Sequence, residues 1–340
     1  MPAFPRILHI ATGGTIAMAK GPDGSMAPFQ SATDLVAAVP EVQEIADVHM
    51  ETLPEIDSSN IFPEYWLQIA RVIANRYHEF DGFVITHGTD TMAYTASALA
   101  FMLQELDKPV VLTGSQIALG VIGSDGRRNM VNAFRVATSD CAEVVIVFGS
   151  SIIRGVRARK ISAFAMEAFE SINENAIGEI GISMRISRRA LRRTGRRLLF
   201  TPTLEPAVAL ISAYPGLDPA LVEHVVHTHK GVVILGFGTG NIPSEGPRGL
   251  REVVRGATAA GVPVIVGTQC VLGSTNMGLY RVGKEVLEAG AIPSVDMTPE
   301  ATLVKLMWVL GQTRELERVS SMMLKSYVGE IAPCYEIMER

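Results

Sequence analysis

The chain has 340 residues, 48% of them hydrophobic and 19% charged, so it can form about two domains with full-sized cores and does not have a disordered composition. Its formal net charge of −5 is too mild to indicate nucleic acid or an acidic membrane as a partner. No apolar run approaches the roughly 20 residues of a membrane span, and no signal peptide is recognisable, so we expect a cytoplasmic protein. Three widely spaced cysteines, Cys141, Cys270 and Cys334, indicate neither a disulfide framework nor a metal cluster.

Apolar segments alternate with helical patterns through the first half of the chain. Buried strands are predicted at 6–11, 45–53, 83–88, 109–114 and 143–149. Apolar residues at helical spacing predict helices at 63–80, 90–106 and 125–140. This alternation predicts an α/β fold, with a mainly parallel sheet and flanking helices in a large N-terminal domain at 1–187.

An arginine-rich segment marks the end of that domain. Residues 185–197, RISRRALRRTGRR, contain seven arginines. They could form a nucleic-acid patch, but the acidic whole favours a solvated linker or hairpin, and we place the linker at 188–206 and expect no nucleic-acid partner. The second domain, 207–340, is predicted to be a smaller α/β unit, with strands at 207–213, 231–238 and 262–269 and helices at 218–229, 247–260, 279–289 and from 299 to about 324.

Polar turns follow four of the predicted N-terminal strands. They are TGGT at 12–15, EIDSSN at 55–60, HGTDT at 87–91 and TGSQ at 113–116. Any one of them alone is ordinary, because Ser, Thr, Asp and Gly are common turn residues. In open α/β sheets, however, ligands bind beyond the carboxyl ends of the strands. Together the four turns, with the carboxylates of Asp57 and Asp90, predict a pocket for a small polar ligand.

The TGGT turn has three interpretations: a phosphate cradle, a turn that presents a hydroxyl nucleophile, or a plain turn. The phosphate interpretation is disfavoured because neither G-x-G-x-x-G nor G-x-x-x-x-G-K-[ST] is present. A nucleophilic Thr12 would fit the two glycines, since a backbone without Cβ lets N–H groups approach a developing oxyanion. Residues 19–30 predict a flexible loop, either a lid or a plain surface loop.

A threonine nucleophile needs a base, because the pKa of its hydroxyl lies far above neutral. His87 could serve, although a histidine at a strand end is more typical of a hydrogen-bonded core residue. Cys270 could be a nucleophile, although an isolated cysteine after an apolar strand is more typical of a buried small hydrophobe. Lys160 could move protons if it were desolvated beside Asp90. Spacing alone does not separate Lys160 from its neighbouring arginines or from a surface role.

Two motifs resemble a known family. ATGGTIAM at 11–18 and VITHGTDTM at 84–92 are similar to the signature motifs of the bacterial L-asparaginases, specifically the cytoplasmic (type I) kind. Further counterparts follow in order over nearly the whole chain, among them LTGSQIAL, SDGRRNMVNAFRVA, IIRGVRARK, GTGNIP and TQCVLGSTNMGLY. The resemblance implies hydrolysis of the side-chain amide of L-asparagine to L-aspartate and ammonia, with no cofactor and no metal.

The resemblance also implies roles for the catalytic residues. Thr12 matches the family nucleophile, whose acyl-enzyme is a β-aspartyl ester that water hydrolyses. Thr89, Asp90 and Lys160 match a group that activates the nucleophile or the water and orients the substrate. Thr89 would help to hold the oxyanion.

Four further positions match substrate contacts of the family. Asp57, Ser58 and Ser59 would hold the α-carboxylate through hydroxyl and backbone N–H groups. The backbone at Ser115 would meet the amide that leaves as ammonia. Asp90 would bind the α-ammonium through a charge-assisted hydrogen bond.

The chain departs from the family pattern in the loop after TGGT. Family members place a tyrosine there, hydrogen-bonded to the nucleophile, whereas the matching position here is Met26, beside Ser25. Ser25, or Tyr280 of a neighbouring protomer, would have to replace that hydroxyl, or turnover would fall. An intersubunit glutamate of the periplasmic kind has no clear counterpart at 276–285. Since family sites are completed at a dimer interface, we expect a homodimer or homotetramer.

Other functions remain open at this stage. The same fold could serve a glutaminase-asparaginase, or the amidase partner of a tRNA-dependent amidotransferase. The latter normally carries an extra N-terminal domain, and the start of this chain close to the first strand argues against it. The absent tyrosine also allows a catalytically impaired sensor that binds asparagine or aspartate.

Overall fold

The structure is a computed structural model that describes residues 4–20, 26–28 and 32–333. The chain forms two α/β units. The first comprises the residues up to 171 together with 175–202, and the second comprises 172–174 and the residues from 203 onward. The predicted α/β fold, with a large N-terminal and a smaller C-terminal unit, is confirmed. No helix among the described residues is long and apolar enough to cross a membrane.

The described strands include one at every predicted apolar run, together with short strands that the sequence did not indicate. In chain order they are β1 (Arg6–Ala11), β2 (Met18–Lys20), β3 (Met26–Pro28), β4 (Asp47–Thr52), β5 (Gly82–Thr86), β6 (Leu103–Gln104), β7 (Val110–Thr113), β8 (Val144–Phe148), β9 (Ser151–Arg154), β10 (Ala158–Lys160), β11 (Phe169–Ser171), β12 (Gly178–Ile180), β13 (Met184–Ile186), β14 (Leu199–Phe200), β15 (Val208–Ser212), β16 (Gly231–Gly236), β17 (Val264–Thr268) and β18 (Ile292–Pro293).

The described α-helices alternate with these strands. They are α1 (Ala32–Ala37), α2 (Pro63–Asn75), α3 (Met92–Met102), α4 (Gly126–Ala137), α5 (Pro219–Thr228), α6 (Arg251–Ala259), α7 (Arg281–Glu288), α8 (Pro299–Leu310) and α9 (Leu316–Leu324). Proline opens α2, α5 and α8, where its fixed φ suits the first helical turn. The Asp218 and Thr298 side chains cap α5 and α8 by accepting the N–H groups of Ala220 and Ala301.

The first unit is built on an eight-stranded sheet in the order β13-β12-β9-β8-β7-β5-β1-β4. The pairs from β8 to β4 are parallel, and β9, β12 and β13 extend the sheet antiparallel. All residues of β5, β7 and β8 are buried, as expected for strands covered on both faces. Parallel pairing places the carboxyl ends of β1, β5 and β7 at the same edge, which positions the polar turns together.

The second unit has a four-stranded sheet in the order β15-β16-β17-β18, all parallel. Buried aliphatic side chains of β16 and β17, such as Val232, Ile234 and Val266, pack in one cluster with apolar residues of α5, α6 and α7. Inside this unit, Lys305 of α8 and Glu330 form a fully buried ion pair at 2.7 Å. Burial lowers the pKa of Lys305, and the carboxylate opposes that shift.

The arginine-rich segment at 185–197 is part of the first unit. Arg192 pairs with Asp140, and Arg193 donates to the carbonyl oxygens of Asp81 and Ser139. Both guanidinium groups are therefore bound by carboxylate or carbonyl oxygens within the protein, so these two arginines do not indicate a nucleic-acid patch. The predicted domain limits, 1–187 and 207–340 around a linker at 188–206, stay predictions.

Candidate active site

The predicted nucleophile lies at the carboxyl end of β1, in a turn that depends on glycine. Gly13 and Gly14 have φ angles of +93° and +86°, which favour glycine over residues with a Cβ. A Cβ on Gly14 would lie 2.4 Å from the Gly88 nitrogen, so this turn packs directly on the turn after β5. Thr12 is buried, and its Oγ1 donates a 2.9 Å hydrogen bond to the Thr86 carbonyl oxygen.

A lysine joins the threonine and the aspartate of the HGTDT turn. Lys160 Nζ donates to Thr89 Oγ1 at 2.8 Å and to Asp90 Oδ1 at 2.7 Å. The Lys160 side chain is 19% exposed, whereas that of Asp90 is 61% exposed and reaches solvent. Three residues predicted to act as one group therefore form one hydrogen-bonded cluster, in which an ammonium faces a hydroxyl and a carboxylate. Such a cluster can orient a hydroxyl and move a proton.

The IDSSN turn packs against Gly88, the glycine on which the Thr12 turn also packs. Ser58 is buried, and a Cβ on Gly88 would lie 2.5 Å from its Oγ. Thr91 Oγ1 donates to the Ser58 carbonyl oxygen at 2.7 Å, which fixes this turn to the start of α3. Asp57 Oδ1 accepts hydrogen bonds from Ser59 Oγ at 2.5 Å and Ser59 N at 2.8 Å, and both bonds lower the pKa of the Asp57 carboxyl.

The TGSQ turn is held by a buried carboxylate. Asp125 accepts the backbone N–H groups of Gln116 at 3.0 Å and Ile117 at 3.0 Å. Gly114 lies against the His87 carbonyl oxygen, which a Cβ would approach to 2.3 Å. Ser115 is buried, and its hydroxyl has no hydrogen-bond partner among the described residues. The turns after β1, β5 and β7 thus meet, together with the Asp57–Ser59 turn.

His87 is buried in the core and is hydrogen-bonded through both of its ring nitrogens. Its Nδ1 lies 2.6 Å from the Gly88 carbonyl oxygen, so Nδ1 carries the proton, and Nε2 accepts from Thr95 Oγ1 at 2.8 Å. Complete burial lowers the pKa of His87 to about 4. Both ring nitrogens are engaged, which supports the core interpretation of His87 over catalysis.

His9 is a second buried histidine beneath this edge of the sheet. Its Nε2 lies 3.0 Å from Thr86 Oγ1, and burial lowers its pKa to about 4. Thr86 is therefore bound on both sides, by His9 through its hydroxyl and by Thr12 through its carbonyl.

One expectation about cysteine is wrong, and the described part of the predicted loop at 19–30 contains backbone of two short paired strands. Cys270 is exposed rather than a buried small hydrophobe, because it lies in the loop after β17 ends at Thr268. Residues 21–25, 29 and 30 of the predicted loop at 19–30, including Ser25, lie outside the described residues, and Met26 is described only as backbone of β3, paired antiparallel with β2. Tyr280 is exposed at the start of α7. Among the described residues, no group of His, Cys, Asp or Glu could hold a metal ion.

The sequence analysis assigned no individual role to two residues that hold the site together. Gln116 contacts Thr89, and Asp125 fixes the TGSQ turn. The signal for Gln116 was present, since it is the last residue of a polar strand-end turn. Asp125 gives no signal beyond its place before α4, because the groups that it holds at this turn are the backbone N–H groups of Gln116 and Ile117, nine and eight residues away.

Comparison with known proteins gives matches along both units. Residues 6–192 match the family model "Asparaginase, N-terminal", and residues 207–323 match "Glutaminase/Asparaginase C-terminal domain". The chain is 38% identical over 345 residues to one of the subunits of the glutamyl-tRNA(Gln) amidotransferase of Pyrococcus horikoshii, a match that covers 98% of this chain and 78% of that protein.

Solved structures give the same picture. The thermostable L-asparaginase from Thermococcus kodakarensis superposes with a TM-score of 0.91 at 39% identity, covering 96% of this chain and 99% of that one. The "Probable Cytoplasmic L-asparaginase" from Campylobacter jejuni superposes with a TM-score of 0.81 at 28% identity, covering 95% and 100%.

Proposed function

This chain belongs to the asparaginase family, and from that premise we propose that it hydrolyses L-asparagine to L-aspartate and ammonia through an acyl-enzyme on Thr12. The observation that carries the proposal is the packing of the Thr12 turn on the turn that bears the Lys160–Thr89–Asp90 cluster. Nucleophilic catalysis by threonine needs a group that activates the hydroxyl, and the packing of the two turns places the Lys160–Thr89 pair at the same edge of the sheet as the buried Thr12 hydroxyl.

In the proposed first step, Thr12 Oγ attacks the side-chain carbonyl carbon of asparagine. The hydrogen bond to the Thr86 carbonyl oxygen orients the hydroxyl, but a carbonyl does not take its proton. That proton is transferred to the amide nitrogen, which leaves as ammonia, and a β-aspartyl ester remains; the Lys160 ammonium, which donates to Thr89 Oγ1 and to Asp90, keeps the Thr89 oxygen in place for this transfer. Water then attacks the ester carbon, aspartate leaves, and Thr12 regains its proton. Backbone N–H groups beside Gly13 and Gly14 are suited to the oxyanion, because no Cβ obstructs them.

Substrate binding is assigned to the surrounding turns. Asp90, with its exposed carboxylate, would take the α-ammonium, and Asp57, Ser58 and Ser59 would take the α-carboxylate. The lowered pKa of Asp57 keeps it ionised, and the Ser59 hydroxyl and N–H both donate to it. The substrate carboxylate would therefore be bound directly by donors of Ser58, while Asp57 and Ser59 would shape the turn around it. The Ser115 backbone would receive the departing amide.

A second candidate has support from the relatives. The similarity to an amidotransferase component over 98% of this chain favours an amidase that acts with a partner, or one that accepts glutamine. A sensor that binds without turnover is the third candidate, because the loop tyrosine of the family is replaced at Met26. Cytoplasmic location and assembly as a homodimer or homotetramer are further parts of the proposal, supported by the similarity to the C. jejuni protein for the location.

Covalent labelling tests the proposed nucleophile. The native chain is incubated with a diazoketone analogue of asparagine, and the modified residue is identified by mass spectrometry of peptides. We expect one adduct, on Thr12, that is lost in Thr12→Ala and kept in the matched control Thr15→Ala from the same turn. An adduct that persists in Thr12→Ala would overturn the assignment, and binding of aspartate with no adduct would favour the sensor.

A further inference from the structure

Gln116 contacts Thr89 of the proposed catalytic cluster, and no catalytic or substrate-binding role has been assigned to it. Its Oε1 accepts a 3.3 Å hydrogen bond from Thr89 Oγ1, and its Nε2 donates to the Ala165 carbonyl oxygen at 3.2 Å. Its backbone N–H is held by the buried Asp125 carboxylate at 3.0 Å. Gln116 is thus anchored at both ends, and Thr89 is the hydroxyl to which its amide oxygen is directed.

These contacts fix the orientation of the amide. The Ala165 carbonyl only accepts, so the group that faces it is the NH₂, and the amide oxygen is left facing Thr89. Thr89 has a single proton, and Lys160 Nζ donates to its oxygen at 2.8 Å. The Thr89 proton is therefore directed to Gln116, and one lone pair of the Thr89 oxygen accepts from the lysine. The remaining lone pair is left for a ligand.

We propose that Gln116 is a positioning residue that acts through Thr89, by fixing the rotation of the Thr89 hydroxyl so that its oxygen stays oriented toward Lys160. This inference rests on the proposed function. Without the amide oxygen, the Thr89 hydroxyl can rotate its proton toward the lysine, and the 2.8 Å contact is lost for part of the time. Because Gln116 is not assigned a contact with the substrate, its removal should affect kcat rather than KM.

The test compares Gln116→Met and Gln116→Glu with a matched control, Gln104→Met. Gln104 is a buried glutamine whose Nε2, like that of the half-buried Gln116, donates to a backbone carbonyl, that of Phe101 at 2.9 Å, but Gln104 lies on β6, away from the cluster. Loss of the single Thr89 hydrogen bond should lower kcat in Gln116→Met roughly 5- to 10-fold, with KM within about 2-fold. Gln116→Glu keeps an acceptor for Thr89 and should recover part of kcat. Gln104→Met should keep native kcat.

A double-mutant cycle with Thr89→Val separates positioning from general support of the fold. If Gln116 acts through Thr89, then Gln116→Met in the Thr89→Val background should change the rate less than about 2-fold. Where turnover is too slow, the rate of diazoketone labelling of Thr12 replaces it. Additive losses in the two backgrounds, or a native kcat in Gln116→Met, would overturn the inference. If the native chain gives neither ammonia nor an adduct, the proposed function fails instead, and the two failures are thereby distinguished.

Discussion

Substitution of Gly14 by alanine should both destabilise the first unit and slow the reaction. At a φ of +86° a residue with a Cβ is strained, which costs about 1–3 kcal/mol. The new Cβ would also lie 2.4 Å from Gly88 N and 2.5 Å from Gly88 Cα, both backbone atoms that cannot rotate away. Overpacking of this kind adds about 1–3 kcal/mol, so we expect a total loss of about 2–6 kcal/mol in the free energy of unfolding. The Thr12 turn must also move away from Thr89, and a displacement of about 1 Å can lower a rate roughly 100-fold.

Gly123→Ala is the matched control for this prediction. Gly123 has a φ of +85°, and nothing lies within 4 Å of the position where its Cβ would be. It carries the backbone strain without the clash. Urea unfolding and ammonia release are measured for both variants. We expect Gly123→Ala to lose only about 1–2 kcal/mol and to keep its activity. If Gly14→Ala were as stable and as active as Gly123→Ala, the close packing of the two turns would be refuted.

Three further substitutions test the remaining claims. Lys160→Met should lower kcat roughly 100- to 10,000-fold with unchanged urea stability, and an active variant would remove lysine from the mechanism. Burial lowers the pKa of His9 and of His87 to about 4 in the folded state, from 6.5 in the unfolded state. The unfolded state therefore binds more protons as the pH falls. Between pH 7 and pH 4 the free energy of unfolding should decrease by about 2–3 kcal/mol for each histidine. His9→Gln should remove its share of that slope in urea titrations, and an unchanged slope would contradict the burial of a neutral His9. Glu330→Gln leaves the buried Lys305 without its carboxylate and should lower the free energy of unfolding by about 3 kcal/mol. Glu245→Gln, at the exposed pair with Arg281, should lower it by less than about 1 kcal/mol. Equal losses would contradict the burial of the Lys305–Glu330 pair.

Continuous apolar runs predicted the central strands well. The run 6–11 is β1 with the same limits, and the predicted strand at 143–149 contains β8 at Val144–Phe148. Helices were also placed correctly but extended too far: the pattern at 90–106 ends as α3 at Met102, after which two residues pair with β14. That end depends on a partner strand almost a hundred residues away, which periodicity does not show.

The site could be predicted where it depends on strand ends and not where it depends on long-range contacts. Thr12, Thr89 and Asp90 follow apolar strands, so the sequence indicates their common edge. Lys160 could not be chosen from spacing, because its contact with Thr89 joins residues 71 positions apart through the short strand β10. Gln116 and Asp125 were missed as supports for the same reason, since their partners are set by the folded turns.

Ammonia release from L-asparagine and from L-glutamine, by the native chain and by Thr12→Ala, tests the central claim most directly. We expect the native chain to release ammonia from asparagine and Thr12→Ala to lose this turnover, although the family's loop tyrosine is replaced at Met26. Equal turnover by Thr12→Ala would contradict Thr12 as the nucleophile, and absence of turnover with either amide by the native chain would contradict the proposed hydrolysis.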